Sequence, residues 1–159
     1  MSRPRDIGTM AETAVVRALR VNGFPLAERR SLKGALDQGD ITGTPGLCWE
    51  VKGGKAAWFA SDGQVAEWMR ETEVERVNAR ADIGILVVQR KGIGTPNAGR
   101  WWAIMRLVHV AALTHQLGLA SPGEGVLGNP APVRMHLADA CTLLRAAGYG
   151  KPLVQAVAG

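Results

Sequence analysis

The chain carries 159 residues with nineteen Lys/Arg against fourteen Asp/Glu, a formal net charge of +5 and a mean hydropathy near zero. That length is one domain's worth and can bury a real core. No apolar run is long enough for a membrane span, and Met1-Ser2-Arg3-Pro4-Arg5-Asp6 lacks a signal-peptide stretch, so the cytoplasm is the expected compartment. Cys48 and Cys141 have no metal-type spacing and read as a reduced, buried pair. Charge is unevenly spread: residues 1–55 hold nine basic against six acidic side chains, residues 62–82 three against six, and residues 83–159 seven against two. A modest basic surplus of this kind favours a polyanionic partner.

In chain order, Thr9-Met10-Ala11-Glu12 has the Thr-x-x-Glu pattern of a capping box and predicts a first helix running to Asn22-Gly23. Phe24 to Leu32 reads as a strand ending in the basic cluster Arg29, Arg30 and Lys33. A bend through Gly34 and Asp37 leads to Gly39-Asp40-Ile41, the turn Thr42-Gly43-Thr44-Pro45-Gly46, and the strand Leu47-Cys48-Trp49-Glu50-Val51-Lys52. Ser61-Asp62-Gly63-Gln64 is a second capping pattern, predicting a helix to about Arg80 with an apolar stripe at Val65, Trp68, Met69 and Thr72; Val74 and Val77 fall off it. Ile83 to Val88 is an apolar, β-branched run expected as a buried central strand, and Trp101 to Met105 returns as another after a Gly92-to-Gly99 loop. The order is α-β-β-β-α-β-β, a mixed α/β sheet flanked by helices. Residues 1–107 form the expected core. Residues 108–159 form a helical extension, with a helix over 108–117, a Gly/Pro-rich linker over 118–132 and a helix from Met135 to Ala147.

The chemistry concentrates in the hairpin. Alternate strand residues share a face, so Glu50 and Lys52 project together while Trp49 and Val51 go the other way. The Gly/Pro turn folds Asp40 back opposite Glu50. Two carboxylates that close repel, and a hard divalent cation with oxygen ligands relieves them. A lysine beside such an ion can orient a water and help to deprotonate it. Glu12 shares the first helix's apolar face with Val16 and Leu19, which aims it toward these acids; its competing role is the cap on Thr9. Asp37, followed by Gln38 and Gly39, reads as a turn residue. Arg29, Arg30, Lys33 and Lys55 flank the hairpin as candidate phosphate contacts, and Gln64 is a candidate assisting residue whose cap role explains it as well. Trp58, Trp101 and Trp102 read as core residues, with base stacking as the alternative. His109, His115 and His136 lack zinc-ligand spacing, and no phosphate-binding Gly-Lys-Ser/Thr loop is present.

Gly8-Thr9-x-x-Glu12, Gly23-Phe24, Arg29-Arg30, Gly39-Asp40-Ile41, Glu50-Val51-Lys52, the Ser61-to-Gln64 helix start and the Ile83-to-Arg90 strand together resemble the PD-(D/E)XK nuclease superfamily. Within it they are similar to the archaeal-type Holliday junction resolvases, which also occur in phages. The likeness covers roughly residues 5–107. It implies a restriction-endonuclease-like core and a Mg²⁺-dependent endonuclease, with Mn²⁺ able to substitute. Metal would be held by Glu12, Asp40, Glu50 and the Val51 carbonyl, with Lys52 positioning the attacking water. It further implies a homodimer that resolves four-way junctions in a bacterial or phage-infected cell. Another nuclease on the same core, acting on duplex DNA or ends, is the alternative.

Overall fold

The computed structural model describes residues 3–31, 34–116 and 128–151. Helix α1 spans Pro4–Val21 and begins earlier than Thr9. Pro4 sits in the first turn, where its missing N–H costs nothing, and Asp6 accepts the Arg3 N–H at 3.3 Å. Thr9 is therefore helix interior, its carbonyl accepting the Thr13 hydroxyl at 2.8 Å. The capping role expected of Thr9 and Glu12 is thus overturned, and the Glu12 carboxylate is free for other work. Ala11, Val15, Ala18 and Leu19 bury one face, and the helix stops at Asn22 before Gly23, whose φ of 98° suits glycine.

The strand expected over residues 24–32 shrinks to β1 (Glu28–Arg29), which pairs antiparallel with β2 (Ile41–Thr42). Pro25 offers no N–H, and the Ala27 N–H turns back to the Phe24 carbonyl at 3.1 Å, so the backbone here closes locally. Leu32 and Lys33 lie outside the described residues.

The main sheet has the order β3-β4-β5-β6, from β3 (Leu47–Lys52), β4 (Ile83–Val88), β5 (Trp102–Arg106) and β6 (Pro132–His136). β3 and β4 run parallel, joined through a short helix α2 (Gly54–Trp58) and the longer α3 (Asp62–Asn78); the β4–β5 and β5–β6 pairs are antiparallel. Helix α4 (Leu107–Gln116) precedes β6 and α5 (Leu137–Ala146) follows it. Trp49, Val51, Ile85, Val87, Ala103 and Met105 share one sheet face and pack with the buried residues of α1 and α5. Leu86, Val88 and Ile104 share the other and pack with Trp68 and Met69 of α3. Glu50 and Lys52 belong to this second face, because they pair with Leu86 and Val88. The observed arrangement is the expected mixed α/β sheet flanked by helices.

The clearest departure is β6. Its five residues pair with β5 along the whole of that strand, so the C-terminal part enters the sheet and is not solely helical. Pro132 is acceptable there because β6 is an edge strand. Helix α5 accordingly begins at Leu137 and not at Met135. Residues 118–127 of the expected linker lie outside the described residues. Both cysteines are buried and unpaired. Among the described residues no helix is long and apolar enough to cross a membrane.

Candidate active site

The chain leading through β2 into β3 brings the predicted acids together through its backbone, although β2 pairs with β1 and β3 with β4, so that the expected hairpin ladder is not formed between them. The Asp40 N–H donates to the Trp49 carbonyl at 2.7 Å, and the Val51 N–H donates to Asp40 Oδ2 at 2.7 Å. Asp40 is thereby pinned between Trp49 and Val51, opposite Glu50. Gly39 makes the approach possible. It has φ +86°, and a Cβ there would sit 2.7 Å from the Trp49 carbonyl oxygen and 2.9 Å from Cys48 Sγ. Asp37 Oδ1 accepts the Gly39 N–H at 3.1 Å, the turn role expected of it. Gly39→Ala should therefore cost on the order of 1–3 kcal/mol. It should also displace Asp40, because the atom that it strikes is the acceptor of the Asp40 N–H. A thermal melt lower by several degrees, roughly 2–4 °C per kcal/mol for a chain of this size, is the expected readout.

Glu50 is only 7% exposed and lies within hydrogen-bonding reach of both Asp40 and a residue the sequence reading missed, Glu75 of α3. Burial and the Glu50 charge push the Asp40 carboxyl well above its usual range, with Glu12 adding to the push and the Val51 N–H opposing it. Glu75 is raised in the same direction, by burial first and then by Glu50. Its Oε2 is buried and has no hydrogen-bond partner among the described residues. Glu75 occupies the next position of the α3 stripe, after the buried Trp68, Met69 and Thr72, whereas Val74 and Val77 are exposed. An acid where an apolar residue belongs was the available signal.

Lys52 supplies the cation. Its Nζ lies 2.5 Å from Glu50 Oε1 and 3.4 Å from Glu71 Oε2, and 5.8 Å from the Trp68 ring centroid. Burial works against its charge, but Glu50 and then Glu71 outweigh it and hold the ammonium above its ordinary range. Glu71 is a second residue that the sequence reading did not single out.

Glu12 and Arg29 pair across the neighbouring cleft, Arg29 Nε donating to Glu12 Oε2 at 2.8 Å and Nη2 to Thr9 Oγ1 at 3.3 Å. The cleft is about 780 Å³ and is lined by Arg5, Thr9, Glu12, Arg29, Arg30 and Asp40, among others. Arg30 reaches Gln38 Oε1 at 3.3 Å and leaves a buried Nε without a partner among the described residues. Lys55 is exposed on α2, while Lys33 lies outside the described residues. Gln64 stays out of the cluster: it is exposed on the first turn of α3, its N–H capped by Ser61 Oγ at 3.1 Å.

The donor set is hard oxygen, partly dehydrated and short of cations, which fits a Mg²⁺-like ion. Among the described residues no three acidic, His or Cys side chains form a ready-made cage. Asp40 and Glu50 are the residues that would hold the ion; of the other two expected ligands, Glu12 is paired with Arg29 and the Val51 group that meets Asp40 is its N–H.

Comparison of the chain with family models, with curated proteins and with solved structures returns no match.

Proposed function

We propose that the protein is a metal-dependent endonuclease of PD-(D/E)XK type, with branched DNA as its substrate. The observation that carries this reading is the Asp40–Glu50–Lys52 group, with Asp40 pinned at 2.7 Å by the Val51 N–H and Lys52 2.5 Å from Glu50. A divalent cation bound at Asp40 and Glu50 would polarise a phosphodiester and make a coordinated water more acidic. Lys52, the one cation in contact with Glu50 among the described residues, can turn its ammonium protons to a phosphate oxygen as charge develops there. The Val51 N–H keeps Asp40 from swinging out of line. Arg29 and Arg30 offer forked donors to phosphates on the cleft side; a phosphate must compete with Glu12 for Arg29.

The preferred substrate is the four-way junction and the preferred assembly a homodimer, since paired incisions on a two-fold substrate call for two related sites. Cleavage of junction, duplex, single-strand and flap DNA by the purified protein, with and without Mg²⁺, tests both levels of the proposal. Mg²⁺-dependent paired nicks on the junction are expected. Cutting of linear duplex or ends alone would move the substrate to the alternative nuclease reading, and no metal-dependent cutting of any DNA would end the proposal.

A further inference from the structure

On the same sheet face as Glu50 and Lys52, beyond β4, stands a cationic cluster built on one indole. The Arg90 guanidinium carbon lies 4.1 Å from the Trp102 ring centroid and that of Arg134 lies 4.3 Å from it. The His136 ring is 5.3 Å away on the edge strand, and its Nε2 is 3.0 Å from Arg90 Nη1. Arg90 Nη1 also donates to the Arg100 carbonyl at 3.1 Å. Among the described residues neither Arg90 nor Arg134 has a carboxylate in ion-pair range; the exposed Asp139 lies 3.9 Å from His136 Nδ1. Trp101, by contrast, is fully buried, so the two adjacent tryptophans have different work.

Two guanidiniums gathered on one ring without a counter-charge form a site that wants an anion. Guanidinium forks match phosphate oxygens, and stacking on the indole fixes their planes before the ligand arrives. The strand register says which anion. Lys52 pairs with Val88, Val88 with Trp102 and Trp102 with His136; in the next row on the same face, Glu50 pairs with Leu86, Leu86 with Ile104 and Ile104 with Arg134. At about 4.8 Å per strand, Trp102 lies about 10 Å from Lys52 and Arg134 about 14 Å from Glu50, a span of roughly three to four nucleotides at about 3.4 Å each.

We propose that Arg90 and Arg134, held in place by Trp102, grip the backbone of the nucleic-acid strand as it leaves the Asp40–Glu50–Lys52 centre. The direction of that strand rests on the nuclease reading; the phosphate contact itself does not. The contact is to backbone and carries no base information.

The test is binding of a labelled single strand and a labelled four-way junction across a salt series in EDTA, where nothing is cut. Arg90→Ala/Arg134→Ala is compared with wild type and with the charge-matched control Arg17→Ala/Arg70→Ala. Affinity of the site variant should fall about tenfold or more, and the log–log salt slope for the single strand should flatten by about 1.4, the release expected from two phosphates. The control should keep most of the wild-type slope. Should the double variant not fold, Arg134→Ala alone serves, since Arg134 is exposed and stacks on Trp102. It should take half of the slope change. Affinity and slope equal to those of the control would overturn the assignment, whether or not the wild type cuts DNA, and so would a wild type that binds neither probe. A wild type that binds through these arginines but never cuts with Mg²⁺ would uphold the contact and end the nuclease reading.

Discussion

Asp40→Asn should make the metal-free protein more stable and the loaded protein inactive. Asparagine keeps the side-chain oxygen that accepts the Val51 N–H at 2.7 Å, so the hairpin geometry survives. What disappears is a carboxylate forced against Glu50. Because burial and Glu50 raise its native value above the usual 3.8, protonated Asp40 contributes stability that is fully present below that value and lost as pH climbs through the raised one. The benefit of the asparagine therefore grows with pH. On the order of 1–2 kcal/mol, or about 2–8 °C in melting temperature, is expected at neutral and mildly alkaline pH, with little gain in acid. Mg²⁺ should raise the melting temperature of the wild type and leave that of the variant nearly unmoved. Cleavage should drop roughly a thousandfold, the scale of losing one preorganised electrostatic contact. Melts with and without Mg²⁺ across pH, beside a cleavage assay, read all of this. An asparagine variant that melts below the wild type in EDTA would contradict the repulsion argument.

Lys52→Ala should be just as inactive but with the opposite sign in stability. Lys52 Nζ is shared between Glu50 and Glu71, at 2.5 and 3.4 Å, and Glu50 is nearly buried. Removing the ammonium leaves Glu50 beside Asp40 and Glu75 with no cation in contact. Stripping one partner from a buried pair costs about 3 kcal/mol or more, which is roughly 6–12 °C here. Mg²⁺ should restore part of that loss, since a bound ion supplies the missing positive charge without supplying the lysine's protons. Thermal melts and single-turnover cleavage separate the two effects. A Lys52→Ala protein with wild-type melting would mean that the ion pair is not what balances Glu50. The pair of variants, one stabilised and one destabilised, distinguishes a site under electrostatic stress from a merely exposed hairpin.

The hairpin was legible because its information is local. Gly39, the Gly/Pro turn and strand alternation set the Asp40–Glu50 register before any long-range contact is considered, and the structure places these residues opposite each other. The Ile83–Val88 strand was equally plain, since it is buried on both faces and needs no alternation. The start of α1 was misread because Thr9 and Glu12 imitate a cap, while the true start uses Pro4 and Asp6 one turn and a half earlier. Glu75 escaped notice because an acid on a helix reads as solvated until the sheet beneath it is known. Strand β6 was hidden for the same reason: Pro132–His136 has meaning only against the edge of β5, a partner some thirty residues away.

That edge strand also sets an order on biosynthesis. Until residues 132–136 have emerged from the ribosome, β5 presents an open row of backbone donors and acceptors. The closing contacts come later still: the Arg145 guanidinium donates to the Asn22 carbonyl, and the Lys151 N–H donates to the Gly23 carbonyl at 2.7 Å. The acids and Lys52 will have been made long before the sheet that backs them can finish, so a nascent chain carries its chemistry unassembled. Non-local closure of this kind slows folding and leaves an intermediate prone to pairing with its neighbours. Slow, cool expression should favour recovery of the folded chain for that reason, with the loss on rapid expression appearing as aggregate built on the β5 edge.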